Sequence, residues 1–323
     1  MAELDDLFTG SLDNKMDFLN DEKKSVGDDG LYRIDLNKCK DKTKGWRSVI
    51  RFLPNVTKEG TIGQSAIEKI SHFVNIQDQK DLSGVFDSPR NFDEKCDLTD
   101  LYWNMQNSKN AILVEKSKML NYSKRYYSYV LVIEDEQQPE LVGKIMVYQY
   151  GKTIRDKIVQ EKNGEITGVP CNVFDLNTGK DFVLIVKELK TGDRTYPDYK
   201  SSQFRQESSS LPIYFEEKRE FKNAPLNENG VIDPKFQDKI KKILVTRDHD
   251  LEEFTPKRLT EEQQSKVSQI INYLMGKTSN SFNQAQNAPK NEATSEDFDF
   301  ENNFETETTS SVTEDADDFF SDF

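Results

Sequence analysis

Alternation of side chains along the chain, the mark of a half-buried strand, is clearest between Lys144 and Lys152. Lys144, Met146, Tyr148 and Tyr150 fall on one face of that run, and Ile145 and Val147 on the other. Upstream, Asn121 to Ile133 is a second strand-like run, dense in tyrosine and ending Val130-Leu131-Val132-Ile133. Trp46 to Leu53 places Trp46, Ser48, Ile50 and Phe52 on one face and Arg47, Val49, Arg51 and Leu53 on the other, and Pro54 ends it. Phe182 to Val186 is apolar on both faces, which predicts a central strand. Pro170 to Asp175 predicts a short strand before a turn at Asn177-Thr178-Gly179. Helical spacing appears twice: Gly151 breaks a strand and Thr153 can cap a short helix to Ile158, and Leu259, Val267, Ile270, Ile271 and Leu274 form the apolar stripe of an amphipathic helix within 256–277.

Elsewhere the pattern weakens. From Val56 to Asn110 it is irregular, as in a small inserted subdomain with little core of its own. Thr191 to Phe204 reads as a loop carrying Tyr196, Tyr199 and Phe204 beside Arg194 and Lys200. In the first 30 residues Leu4, Leu7, Leu12, Met16, Phe18 and Leu19 suit either a short amphipathic arm or a disordered leader. Beyond Thr278 the chain turns to Ser, Asn, Gln and Ala, then to Asp and Glu punctuated by Phe, the composition of a disordered tail. The expected fold is mainly β with some α: one body over 31–276, with 56–110 inserted, flanked by an arm (1–30) and a tail (277–323).

Charge sharpens this division. The net charge of -14 comes from the ends. Residues 291–323 hold 12 acidic and no basic side chains, and residues 1–30 hold 9 acidic and 3 basic. The remaining body carries 41 basic and 37 acidic groups and is mildly basic. Cys39, Cys96 and Cys171 stand far apart, and neither a signal-like leader nor a membrane-length apolar run is present, so a cytosolic protein without disulfides is expected.

Tyrosines flanked by Lys and Arg suit stacking on bases and pairing with phosphates, the chemistry of a single-stranded nucleic-acid platform. The same residues also suit a plain half-exposed sheet, because Tyr favours strands. Tyr129 and Tyr150 join the candidate platform on the strand pattern alone. His72 and His249 are far apart and lack motif partners, and no phosphate-binding loop or nucleophile motif occurs, which argues against an enzyme. His72 and Cys96 are the only good zinc ligands of the 56–110 segment, and two ligands do not make a tetrahedral site.

In order along the chain, Val49-Ile50-Arg51-Phe52-Leu53-Pro54, Tyr126-Tyr127 leading into Val130 to Ile133, Gly143-Lys144 through Tyr148-Gln149-Tyr150-Gly151-Lys152, Ile154 to Ile158 and Tyr196 to Phe204 resemble the single-stranded DNA-binding (helix-destabilising) proteins of T-even-type bacteriophages. The tail matches in character, ending Asp317-Asp318-Phe319-Phe320-Ser321-Asp322-Phe323. The resemblance implies an OB-fold core, a five-stranded Greek-key barrel, and cooperative, sequence-tolerant coating of single-stranded DNA during phage replication, recombination and repair. Tyr126, Tyr127, Tyr148, Tyr196 and Tyr199 would stack on bases, with Arg51, Lys124, Arg125, Lys152 and Arg155 as phosphate partners and Lys200 and Phe204 beside them. Implied partners are single-stranded DNA, further copies of the chain along it and, through Asp317, Asp318, Phe319, Phe320, Asp322 and Phe323, phage replication and recombination proteins such as polymerase, helicase loader and recombination mediator. RNA binding, or an adaptor role for the acidic tail, is the alternative. The implied location is the cytoplasm of an infected bacterium, with no membrane.

Two departures from that family stand out. Its zinc subdomain uses one His and three Cys, whereas here Asp87-Ser88 and Thr99 stand where cysteines are expected, so no zinc or other cofactor is expected. Its self-association arm carries a basic, hydroxyl-rich cluster, whereas this chain begins Met-Ala-Glu-Leu-Asp-Asp, so contacts through residues 1–30 are expected to be weaker or apolar.

Overall fold

The computed structural model describes residues 30–276 except 40, 42, 58, 192, 193, 216–219 and 248. The expected arm, apart from Gly30, and the expected tail from 277 lie outside the described residues.

The described chain is mixed α and β. Its strands are β1 (Leu31–Tyr32), β2 (Trp46–Phe52), β3 (Ile67–Val74), β4 (Gly84–Asp87), β5 (Leu120–Asp135), β6 (Ile145–Tyr150), β7 (Asp181–Thr191), β8 (Arg194–Asp198), β9 (Gln203–Phe204), β10 (Pro212–Phe215) and β11 (Glu220–Asn223). The helices are α1 (Asp97–Gln106), α2 (Ala111–Ser117), α3 (Lys152–Asn163), α4 (Pro234–Val245) and α5 (Glu261–Leu274). Nine strands form one sheet, and β10 and β11 form a separate hairpin. No described helix is long and apolar enough to cross a membrane.

β5 is the axis of the sheet. Over its 16 residues it pairs with β3 along Leu120–Tyr127, with β6 along Tyr126–Leu131 and with β2 along Val130–Asp135. Its β-branched and aromatic content suits a strand with partners on both edges. β2 passes the sheet on to β7, which carries β8 and β9 at its two ends. β1 lies parallel to β6.

The alternation expected for β2 sorts its side chains into two cores. Trp46, Ile50 and Phe52 join Tyr126, Val130, Tyr148, Tyr150, Phe182 and Leu184 on one face. Val49 and Leu53 join Tyr129, Leu131, Val147 and Ile213 on the other, which α4 and the turn Leu251–Phe254 cover through Ile240, Leu244 and Leu251. The register shifts between Val49 and Ile50 against β5, a bulge that bends the sheet. Both faces are therefore buried.

A third core belongs to the segment read as an irregular insertion. Val74, Phe86, Leu98, Leu101, Met105 and Leu120 cluster with Ile270 and Leu274 of α5. The segment supplies Val74, Ile76, Phe86, Cys96, Leu98, Leu101 and Met105 to this core, and Ile270 and Leu274 arrive from more than 140 residues downstream to complete it. Pro170–Asp175 forms no strand: the Asp175 carboxylate accepts from the amides of Asn177 and Thr178, both at 2.7 Å, and turns the chain. The expected loop 191–204 contains β8 and β9, which pair with β7.

Candidate nucleic-acid interface

β6 ends at Tyr150, opposite Tyr126, while β5 runs on toward Leu120. A cleft of about 910 Å³ lies where that edge is left open, walled by residues 31–37 on one side and by β7 and β8 on the other. Tyr148 and Tyr150 form its floor, Arg125 and the start of α3 its end, and Lys190, Tyr196 and Tyr199 its far wall. Five sequence-predicted residues, Arg125, Tyr148, Tyr150, Tyr196 and Tyr199, thus meet in one place.

The floor is built from stacked phenols. Strand alternation puts Tyr148 and Tyr150 on one face of β6, with ring centroids 5.7 Å apart and planes 28° from parallel. Phe52 meets the Tyr150 ring edge-on at 5.7 Å, and Tyr32 meets Tyr148 similarly at 5.9 Å. The Tyr150 and Ser128 hydroxyls lie 2.9 Å apart. Both tyrosines are buried, so they support the cleft more than they project into it.

α3 begins at the rim. Its N-cap is Gly151, without a side-chain cap bond, rather than the expected Thr153, and it runs to Asn163, five residues beyond the expected end. Ile154 is buried while Lys152 and Arg155 are exposed on the same turn. Arg155 holds Asp156 at 2.9 Å. Burial and the nearby Glu68 push the Tyr126 phenol above its ordinary range, and the charge of Arg155 works against that push.

Other expected site residues are elsewhere. Arg51 is fully buried. Its guanidinium donates to Asp181 at 3.1 Å, to the Ser209 hydroxyl at 3.1 Å and to the carbonyls of Ser209 and Asp175 at 2.6 and 3.3 Å, so it is a structural cation and not a phosphate partner. Phe204 packs in the core, 4.7 Å from Phe182. Tyr127, adjacent to Tyr126, points to the opposite face and stacks on Phe254 at 5.1 Å. Tyr129 is buried on that face too, its hydroxyl accepting from the Leu251 amide at 2.5 Å and donating to the His249 carbonyl at 3.3 Å. Lys124 stays on the Tyr126 side but is paired with Glu68 at 2.6 Å. Lys200 is exposed, and its carbonyl accepts from Lys157 at 3.2 Å.

Sequence reasoning missed Arg33 and Lys190, which line the cleft with Asp35 and Glu188. Their signal was present in short form: Leu31-Tyr32-Arg33-Ile34 alternates, and Lys190 continues a strand begun at Asp181. Two residues of pairing are too few to see without the parallel partner β6.

The sequence of residues 44–275 matches the family described as gp32 DNA binding protein like. The chain belongs to that family. It is a family of binding proteins and not of enzymes. The chain is 28% identical over 211 residues to the single-stranded DNA-binding protein of Enterobacteria phage T4, covering 62% of this chain and 63% of the relative. Against the single-stranded DNA-binding protein of Enterobacteria phage T2 the figures are 27% over 194 residues, 57% of each. The matches thus span less than two thirds of these relatives.

Proposed function

We propose that this protein binds single-stranded DNA in the cleft between residues 31–37 and β8, without sequence preference. The observation that carries the reading is the convergence of the half-buried Tyr196 and Tyr199, over a supporting floor of Tyr148 and Tyr150, with Arg33, Arg125 and Lys190 in one cleft of a chain from a DNA-binding family. Each base stacked on an aromatic ring contributes about 1–3 kcal/mol, and phosphate neutralisation adds a salt-dependent term indifferent to sequence. Duplex DNA is excluded because its bases cannot offer their faces.

The order strand, strand, strand, helix, strand formed by β2, β5, β6, α3 and β7 supports reading the body as an OB-fold barrel. In the same reading, the 12 negative charges of residues 291–323 compete for the cleft as a tethered ligand at high effective concentration. DNA releases them, and the tail's phenylalanines then engage replication and recombination proteins. Copies bind side by side along a strand, in the cytoplasm of a phage-infected bacterium.

Quenching of tyrosine and tryptophan fluorescence by oligo-dT tests the proposal. Saturable quenching that weakens with salt supports it, and no quenching favours an acidic-tailed adaptor. Competition with a matched RNA oligonucleotide decides between the sugars, since stacking alone tolerates both.

A further inference from the structure

The resemblance to a family with a zinc subdomain makes His72, Asp87, Ser88, Cys96 and Thr99 the positions to test for a metal. They do not fit one. The His72 Nε2 lies 3.2 Å from the Cys96 Sγ and 3.1 Å from the Thr99 Oγ1, a closed hydrogen-bonded group. The other ring nitrogen, Nδ1, is buried without a hydrogen-bond partner among the described residues, whereas a metal-bound imidazole almost always donates its second N–H to a carboxylate, carbonyl or water. Asp87 is committed elsewhere, accepting from Ser71 at 3.0 Å and from the Lys257 amide at 2.8 Å and pairing with Lys69 at 3.0 Å. Ser88 Oγ accepts from the Arg90 amide and its side chain also hydrogen-bonds Cys96, so it belongs to the closed group as a hydroxyl. Among the described residues no three His, Cys, Asp or Glu side chains are placed to hold a metal, and hydroxyls do not stand in for thiolates on zinc.

What closes the subdomain is visible in the segment from Lys257 to Leu274. It enters along the outer edge, where the Lys257 amide bonds Asp87, and Arg258 pairs with Glu94 and lies 4.6 Å from the centre of the Phe92 ring. Thr260 and Gln263 then start α5 with a reciprocal capping box. Lys266 donates to the Ser83 carbonyl at 3.0 Å, over the Phe86 ring. Ile270 and Leu274 complete the buried cluster of Val74, Phe86, Leu98, Leu101 and Met105. The strap therefore touches β4, the turn after it and α1's core, while its own N-terminus is anchored at the subdomain's edge.

We propose that this subdomain folds without metal and that the strap 257–274, docked through Lys266, Ile270 and Leu274, does the closing that zinc ligation does in the related subdomain. This inference is independent of whether the cleft binds DNA.

The test uses the full-length protein in three arms. Elemental analysis with and without a strong chelator is expected to find no stoichiometric zinc and an unchanged melting temperature. Hydrogen exchange of Cys96→Ser is expected to leave β4 and α1 amides protected. Ile270→Ala is expected to speed exchange of those amides by about 30-fold or more, the equivalent of a buried Ile truncation, while β2 and β7 stay protected. One tightly held zinc per chain, or opening of the subdomain by chelator or by Cys96→Ser, overturns the metal-free reading. Exchange in Ile270→Ala that is unchanged, or raised equally in β2 and β7, overturns the strap.

Discussion

Tyr126 and Tyr150 stack across β5 and β6, ring centroids 5.7 Å apart and planes 22° from parallel, yet only Tyr150 lines the cleft. The pair ties the cleft floor to a second buried phenol outside the cleft, and tyrosines of similar appearance in the sequence have different duties.

Tyr150→Ala is expected to cost stability, about 3–5 kcal/mol for a buried ring, read by urea unfolding. Tyr196→Ala, on the half-buried far wall, is expected to leave unfolding near wild type and weaken oligo-dT binding by about 1–3 kcal/mol. Equal effects of the two substitutions on both measurements would contradict the division between floor and wall.

Removing Arg51 strands the Asp181 carboxylate in the core. Arg51→Ala is expected to destabilise by about 3–5 kcal/mol, the cost of breaking a buried pair, offset in part because Arg205 also reaches Asp181 at 3.4 Å. The salt dependence of DNA binding should stay as it is. A shallower dependence with unchanged stability would return Arg51 to the list of phosphate partners.

Arg33→Ala and Lys190→Ala address the two cations that the structure adds. Each is expected to lower the slope of log K against log salt by about 0.7, one phosphate's worth for a single strand. Lys124→Ala, already paired with Glu68, should change it less.

Deleting residues 291–323 should tighten oligo-dT binding at low salt and matter progressively less as salt rises, because the competition it removes is screened. Affinity equal to that of the full chain at low salt would end the tethered-competitor reading.

Alkaline titration probes the phenols. Burial pushes Tyr127 from its ordinary 10.0 up to about 12, with Arg125 pulling back and Asp87 adding to the push, and it raises Tyr126, Tyr129 and Tyr150 as well. A phenol whose folded pKa is raised contributes stability in full below about pH 10, and that stability is lost as pH climbs from about 10 toward 12. Tyrosinate absorbance should therefore lag behind free tyrosine and rise together with loss of the folded circular dichroism signal. Ordinary titration near 10 with the fold intact would refute this.

The strands with long alternation were legible: Trp46–Phe52, the Asn121–Ile133 run and Ile145–Tyr150 all form, and the stripe Val267, Ile270, Ile271 and Leu274 does sit on a helix. Period-2 pattern gives each strand's two faces but not which face is covered, so in the sequence Tyr127 and Tyr129 look equivalent to Tyr126, although they face α4 and the Leu251–Phe254 turn. A basic residue in a strand gives no sign of a distant carboxylate, which is why Arg51 read as a surface cation. Helix α4 carries a stripe of its own, Phe236, Ile240 and Leu244 four residues apart behind Asp233-Pro234, the same kind of signal that marks α5. The residues meeting in the cleft from 31–37, 125, 148–151 and 195–199 are joined only by tertiary pairing.

Because β3 pairs with the N-terminal half of β5, the chain leaves the main body after β2 and returns on a strand that both bodies share. Cutting out residues 56–119 would not yield a smaller version of the protein. It would bare the flank of Leu120 to Tyr127 that β3 covers, a row of unpaired amides and carbonyls that invites edge-to-edge aggregation.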